Sequence, residues 1–347
     1  MNQLLISLLI MVIKIAVVMA ALMNGVVFMV YFERRSAAFI QKRLGPNRVG
    51  PWGLFQPIAD VIKLFFKEDI IPDSANKPLY LVAPIILVTC ALSAFAVIPF
   101  GEEIVLFGQK IKLQVADVNI GILYLLAIVS IGIYGIILGG WSSNSKYSFL
   151  GALRSSAQMI SYEVALGLSI IGVLMITGSL RLNHVIYAQI KPLWGFIPRW
   201  NIFTQPLAFL LFLTASYAET NRLPFDLPEA EQELVAGYHT EYSSMKFGLY
   251  YMAEYINMIT FSALLVVLFL GGWHIPGLHL LGLSPLTNAL LQIMGFAIKV
   301  TFFLFLYIWV RWTFPRFRYD QLMRLGWLVL IPLGLANILI TGIIMLI

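Results

Sequence analysis

ERRSAAFIQKRLGPNRVGPWGLFQPIADVIKLFFKED, residues 33–69, follows directly on an apolar run that extends from about residue 4 to Tyr31. A basic, turn-rich segment and an amphipathic helix are thereby joined to the end of a membrane span. Gln56, Asp60, Lys63 and Lys67 recur at i, i+4, i+7 and i+11, while Leu54, Phe55, Ile58, Val61, Ile62 and Phe65 fill the opposite face. A helix so divided lies in the plane of the bilayer interface. Ahead of it, Gly45, Pro46, Gly50 and Pro51 interrupt any regular element and dictate a compact turn beside Arg43 and Arg48. The same charges also suit a simpler part, a snorkelling surface helix and a positive-inside anchor.

The rest of the chain agrees with a bilayer setting. It is 60% hydrophobic and 12% charged, where soluble domains are roughly half apolar and a quarter charged. Apolar runs near 4–31, 79–99, 118–140, 155–178, 203–218, 247–271, 285–310 and 325–346 mostly reach the ~20 residues needed to cross. The expectation is one all-α, polytopic domain over 1–347 with about eight transmembrane helices plus the interfacial one. The run at 203–218 is short and opened by Pro206, which suits a tilted or protein-buried element. The first apolar run outlasts the ~7–15 residues of a cleavable signal, so it is expected to stay. Its basic flank follows it, which directs the amino terminus outward and the 33–78, 141–154, 219–246 and 311–324 loops inward. The Lys and Arg residues of those loops far outnumber Lys110, Lys112, Arg181, Lys191 and Arg199 on the other side, while Lys14 and Lys299 fall inside spans. The net charge of +6 is thus an orientation signal rather than a nucleic-acid signal.

Cys90 is the one cysteine, which excludes a disulfide framework, a thiolate cluster and a redox pair. His184, His274 and His279 fall in outer loops and His239 in an inner one, so no histidine pair is expected to clamp a haem. No phosphate-cradling or dinucleotide motif occurs. No metal site and no resident redox cofactor are expected.

The carboxylates carry the remaining chemistry. The 219–246 loop, ETNRLPFDLPEAEQELVAGYHTEYSSMK, sets Glu219, Asp226, Glu229, Glu231, Glu233 and Glu241 against Arg222 and Lys246. Crowded or partly buried acids raise one another's pKa and become candidate proton carriers; a solvated acidic loop docking on a basic partner fits equally well. After Pro228 a short helix is expected, with Glu229 and Glu233 one turn apart. Glu163 lies nine residues past Arg154 and Glu254 eight past Lys246, roughly 13–14 Å and 12 Å along a helix. An ionised acid at such depth costs several kcal/mol and is a functional candidate, with a structural hydrogen bond to Tyr162, Tyr255 or a lysine as the plainer role. In RWTFPRFRYDQLM, 311–323, Arg311, Arg316 and Arg318 beside Asp320 suggest an ion-pair network or a positive-inside anchor.

With these blocks the chain resembles, along nearly its whole length, the family of H-type membrane subunits of the proton-pumping NADH:quinone oxidoreductase, respiratory complex I. The resemblance rests on residues 33–69, on SYEVAL at 161–166, on AETNRLPFDLPEAEQELVAGYHTEYSSMKFGLYYMAEY at 218–255 and on 311–323. It implies a component without a redox centre that anchors the peripheral arm and forms part of the chamber where quinone, ubiquinone or menaquinone, is reduced. NADH, FMN and iron–sulfur clusters are implied on partner subunits, with antiporter-like subunits beside this one in a bacterial inner membrane or, alternatively, a mitochondrial one. By carry-over, Arg35, Arg43, Gln56, Asp60 and Lys63 stand near the quinone passage. Glu163, Glu219, Asp226, Glu229, Glu231, Glu233, Glu241 and Glu254 line a charged funnel, and Arg154 and Arg222 set the pKa of these acids. His239 stands where some members carry Asn and would add a group titrating near neutrality. Two other readings keep the residues but change the role: the equivalent component of a hydrogenase- or formate-linked complex, and a free-standing ion transporter, for which no inverted repeat is evident.

Overall fold

The computed structural model describes residues 2–106, 109–194, 197–227, 234–278 and 282–346. Helix α1 (Asn2–Ile40) is followed by the interfacial helix α2 (Gln56–Phe66), α3 (Lys77–Ala94), α4 (Gly121–Ser142), α5 (Lys146–Thr177), α6 (Leu182–Ile190), α7 (Asn201–Thr204) and α8 (Pro206–Glu219). Then come α9 (Ser244–Phe269), α10 (Pro285–Thr313), α11 (Tyr319–Arg324), a π-helical turn at Leu325–Leu330 and α12 (Ile331–Leu346). Two small antiparallel hairpins, β1 (Glu103–Leu106) with β2 (Gln109–Lys112) and β3 (Pro192–Trp194) with β4 (Ile197–Pro198), decorate one end of the bundle. The other, charged end carries the 33–78 segment.

Among the described residues seven helices are long and apolar enough to cross a bilayer, the last of them formed by α11 and α12 together. The eighth expected span is the 14-residue α8, about 21 Å long at the helical rise and shorter than a hydrocarbon core. It is tolerated because it packs against α5, α9 and α12, which shield it from lipid. Helix α9 is the hub: from Ile256 to Phe269 it is almost wholly enclosed by α1, α3, α8 and α10. Helices α3 and α4 approach closely because Gly135 faces the Ala83 carbonyl, where a Cβ would stand 2.9 Å away.

Several boundaries differ from the sequence expectation. Glu33 to Ile40 is the last part of α1 rather than a loop, since ERRSAAFI contains no breaker and the helix stops only ahead of Gly45 and Pro46. For the same reason α5 begins at Lys146 and α10 runs to Thr313. The expected turn is present: Gly50 and Gly53 adopt positive φ, and a Cβ at Gly53 would collide with the Pro46 carbonyl. Trp52, also at positive φ, is held by a hydrogen bond from Tyr31 Oη to its carbonyl at 3.0 Å. The apolar side chains Ile58, Ile62, Phe65 and Phe66 of α2 are exposed on the chain, as an interfacial helix requires.

At the hairpin end, Arg181 grips Asp117 through both guanidinium arms, and this bonding, with Lys112 adding to it, holds the carboxyl well below the usual carboxylate range. Lys299, a cation within α10, donates to the carbonyls of Leu270, Gly272 and His274 at 2.9, 2.9 and 2.8 Å. It thereby satisfies the carbonyl end of α9.

Candidate functional site

At the charged end, α1 delivers Glu33 into the protein, where it is 7% exposed. Its Oε1 accepts from Arg311 at the end of α10 and lies 3.5 Å from Arg222 Nη1, and its Oε2 accepts from Tyr255 Oη at 2.6 Å. Arg222 also sets its Nε 3.0 Å from Glu254 Oε1 and stacks its guanidinium 4.4 Å above the Tyr255 ring. Four distant parts of the chain, α1, the turn after α8, α9 and α10, therefore close one buried charge cluster. The pairing is what makes it tolerable, because buried ions need both opposite charges and hydrogen bonds.

The turn that carries Arg222 is pinned from α5. Gln158 Nε2 donates to the carbonyls of Ala218 and Phe225, each at 2.8 Å, and contacts Asn221 Oδ1 at 3.2 Å. Asn221 takes the positive φ that ends α8. Tyr307 donates to Ser216 at 3.0 Å and stacks on Tyr217, ring centroids 4.0 Å apart, which fixes α8 against α10.

A cavity of about 1040 Å³ opens between α1, α2, α9 and α10. Met23, Val26, Val27, Val30, Leu249 and Met252 make apolar walls, and Glu33, Arg34, Arg43, Asp60, Tyr251 and Tyr255 supply polar groups. Its volume is at the upper end of the ~300–1,000 Å³ usual for small-molecule sites. Apolar walls with few convergent polar groups suit an amphipathic small molecule.

The sequence-predicted site residues divide. Arg43 and Asp60 line the cavity; Asp60 is ion-paired with Arg34 and accepts from Gln56 Nε2 at 3.2 Å. Arg35 lies on the outer side of α1, reaching the Pro46 carbonyl at 3.4 Å, and Lys63 is exposed; neither lines the cavity. Glu254 sets its Oε1 against Arg222 Nε. Glu163 accepts from Ser130 of α4. Glu219 is 2% exposed, and neither of its carboxylate oxygens has a hydrogen-bond partner among the described residues. Asp226 pairs with Arg316 at 2.9 Å. Glu241 contributes its backbone carbonyl to Tyr80 Oη at 2.6 Å, and Lys246 pairs with Asp69 at 2.8 Å. Arg154 lies 5.8 Å from the ring centroid of Tyr319. Glu229, Glu231 and Glu233, with the short helix expected there, lie outside the described residues. His239 is buried among Tyr238, Phe247 and Tyr251.

Of the arginines expected to form an ion-pair network or an anchor, Arg311 pairs with Glu33 and Arg316 with Asp226, while Arg318 alone reaches Asp320, at 3.4 Å and exposed. The extended stretch after α10 spaces them too widely for one acceptor. Glu33, Arg34 and Tyr251 are site residues that sequence reasoning passed over, and Tyr255, named there as a hydrogen-bond partner for an intramembrane acid, donates to Glu33. The one available signal was an acid at the apolar-to-basic junction of the first span, masked by the two arginines that follow it.

Among the described residues no three His, Cys, Asp or Glu side chains gather as a metal site, and Cys90 is a buried free thiol.

These features define a polytopic α-helical membrane protein with a ligand-sized cavity whose apolar walls end at a buried ion cluster. Comparison with known proteins is consistent with that class: the profile of the NADH dehydrogenase family matches residues 13–342. The chain is 53% identical over 312 residues to the first of the H subunits of NADH-quinone oxidoreductase in Cytophaga hutchinsonii, covering 90% of both chains. It is 49% identical over 356 residues to the second such H subunit of Koribacter versatilis, covering 99% of this chain and 98% of the relative. NADH-quinone oxidoreductase subunit 8 of Rhodothermus marinus is 52% identical over 318 residues, with 90% of each chain covered. The chain belongs to the NADH dehydrogenase family, in the branch formed by the H subunits of NADH-quinone oxidoreductases.

Proposed function

We propose that this chain is the membrane subunit of a proton-translocating NADH:quinone oxidoreductase that forms part of the quinone chamber and couples quinone reduction to proton translocation. The observation that carries this reading is the large cavity between α1, α2 and α9, apolar toward Met23 and Val26 and polar toward Glu33, Arg43, Asp60 and Tyr255. An isoprenoid tail, of ubiquinone or menaquinone, belongs against the apolar walls and the headgroup against the polar end. Reduction of a quinone to a quinol takes up two electrons and two protons. The electrons arrive from NADH through flavin and iron–sulfur centres on peripheral-arm subunits, since this chain offers no thiolate set.

The protons and the charge imbalance fall to the carboxylates. A unit charge appearing about 10 Å from a carboxylate changes its energy by roughly 1.7 kcal/mol at an effective dielectric of ~20, more than tenfold in a protonation equilibrium. Glu33, Arg222 and Glu254 form the first link, already in mutual contact. Glu219 and Glu163 continue it toward α4, with Asp226, Glu229, Glu231, Glu233 and Glu241 as the loop-side reservoir and Arg154 and Arg222 as tuning cations. Antiporter-like membrane subunits receive the signal. The chain then sits in a bacterial inner membrane, or a mitochondrial one, with its amino terminus outside.

Mass-spectrometric identification of what co-purifies with the tagged chain from gently solubilised membranes tests the assembly. Flavin, iron–sulfur and antiporter-like subunits are expected; a nickel–iron hydrogenase partner would move the chain to a hydrogenase-linked complex, and no stoichiometric partner would leave a lone transporter. The chamber is tested separately. Gly248 faces the cavity with Leu64 Cδ1 3.1 Å from where a Cβ would be, so Gly248→Leu intrudes on the tail path. An overpacking cost of about 1–3 kcal/mol should raise KM for a short-chain quinone roughly tenfold while NADH oxidation by a water-soluble acceptor stays unchanged. An unaltered KM would place the quinone elsewhere.

A further inference from the structure

A second cavity, of about 460 Å³, lies at the hairpin end between the first turns of α1 and strand β2. Ile6, Ile10 and Met11 form its apolar wall, and Lys14, Lys110 and Lys112 its polar one. Lys110 and Lys112 share a face of β2 because side chains alternate along a strand. Lys14 is the lysine that hydropathy left unexplained within the first span. Its one hydrogen bond among the described residues is to a neutral acceptor, the Gln114 carbonyl at 3.0 Å.

The local carboxylates pair with two of these lysines, Lys110 and Lys112, and among the described residues leave Lys14 without one. Glu103 reaches Lys110 at 3.3 Å at an exposed position. Asp117 lies 2.9 Å from Lys112 but is already committed to both arms of Arg181. Two ammonium groups, those of Lys14 and Lys112, are therefore left with spare donors and incomplete compensation beside one another. A strongly hydrated ammonium at the edge of a hydrocarbon layer calls for an anion that can reach the same level. From Lys14 toward the other end of the span, Ile13, Val17 and Phe28 are exposed on the adjoining face of α1, a strip which a soluble anion would leave uncovered and an acyl chain would cover.

We propose that the groove between α1 and β2 binds an anionic phospholipid from the leaflet on the hairpin side, its phosphate held by Lys14, Lys110 and Lys112 and its acyl chain laid on the α1 strip. The lipid would splint the hairpin to α1, whose other end delivers Glu33 to the buried charge cluster.

The test uses the intact complex, delipidated in mild detergent and titrated with phosphatidylglycerol under native mass spectrometry. The Lys14→Gln/Lys110→Gln double variant should bind its tightest phosphatidylglycerol roughly 10- to 30-fold more weakly than the parent, the loss expected from two lysine–headgroup attractions. Lys110→Gln alone, at an exposed position, should give a smaller shift in the same direction. Phosphatidylcholine should not substitute, and Lys191→Gln, an exposed lysine away from the groove, should leave affinity unchanged. Equal phosphatidylglycerol affinity in parent and double variant would overturn the proposal. So would displacement of the lipid by inorganic phosphate at millimolar concentration, which would mark a soluble-anion site, or a protein subunit found cross-linked across the groove in the parent complex.

Discussion

Arg222→Met is expected to strip the assembled complex from membranes. The substitution removes the guanidinium that lies against both Glu33 and Glu254, two carboxylates whose side chains are 9% and 10% exposed. Breaking a buried pair by deleting one partner costs about 3–5 kcal/mol, a large share of the ~5–15 kcal/mol that holds a domain folded. Glu33 keeps Arg311 and Tyr255 as partners. Arg222→Met/Glu254→Gln, which removes the facing charge as well, should recover part of the assembly lost in the single variant. That non-additivity is the diagnostic result of a double-mutant cycle. Arg222→Lys should fall between, since an ammonium cannot serve Glu33, Glu254 and the Tyr255 face at once as the flat guanidinium does. Normal assembly of Arg222→Met, measured as the amount of this chain recovered in the intact complex, would contradict the cluster's role.

Glu163→Gln should leave assembly intact and suppress quinone-linked turnover together with pumping. Its partner is the Ser130 hydroxyl, from which an amide oxygen at position 163 can still accept, so the fold loses little. What is lost is a group able to take and release a proton beside Glu219, whose two oxygens are buried without partners among the described residues. Quinone-dependent NADH oxidation and proton translocation should fall toward roughly 100-fold, the lower end of what a missing positioned proton-transfer group costs. Electron transfer to a water-soluble acceptor should be retained. Glu163→Asp, shorter but still titratable, should recover part of the activity, which a purely structural role would not predict. Undiminished pumping by assembled Glu163→Gln complex would sink the relay.

Much of this architecture is legible in the one-dimensional pattern, and particular residues show where legibility stops. The helical recurrence of Gln56, Asp60 and Lys63 revealed α2, and Gly50 and Pro51 the turn before it, because those signals are local. Helix α8 was recognised as the weak span from its length and Pro206, yet its tolerance depends on α5, α9 and α12 around it. Asp60 and Arg43 proved to line the cavity while Lys63 and Arg35 did not. One turn of helix separates inside from outside, and no spacing rule says which side a neighbouring helix will cover. Asp320 drew attention as the nearest acid to three arginines, but proximity in sequence is a poor guide where the chain is extended.

Hydrophobic length, helical period and breaker residues set the membrane class, the spans and the interfacial helix from the amino-acid order alone, since each acts within a few turns of the residue that carries it. The pairing of Glu33 with Arg311, 278 residues apart, the shared grip of Arg222 on Glu33 and Glu254, and the cavity they border came from packing. They depend on which helix faces meet, and a desolvated charge selects its partner from whatever the fold brings within reach.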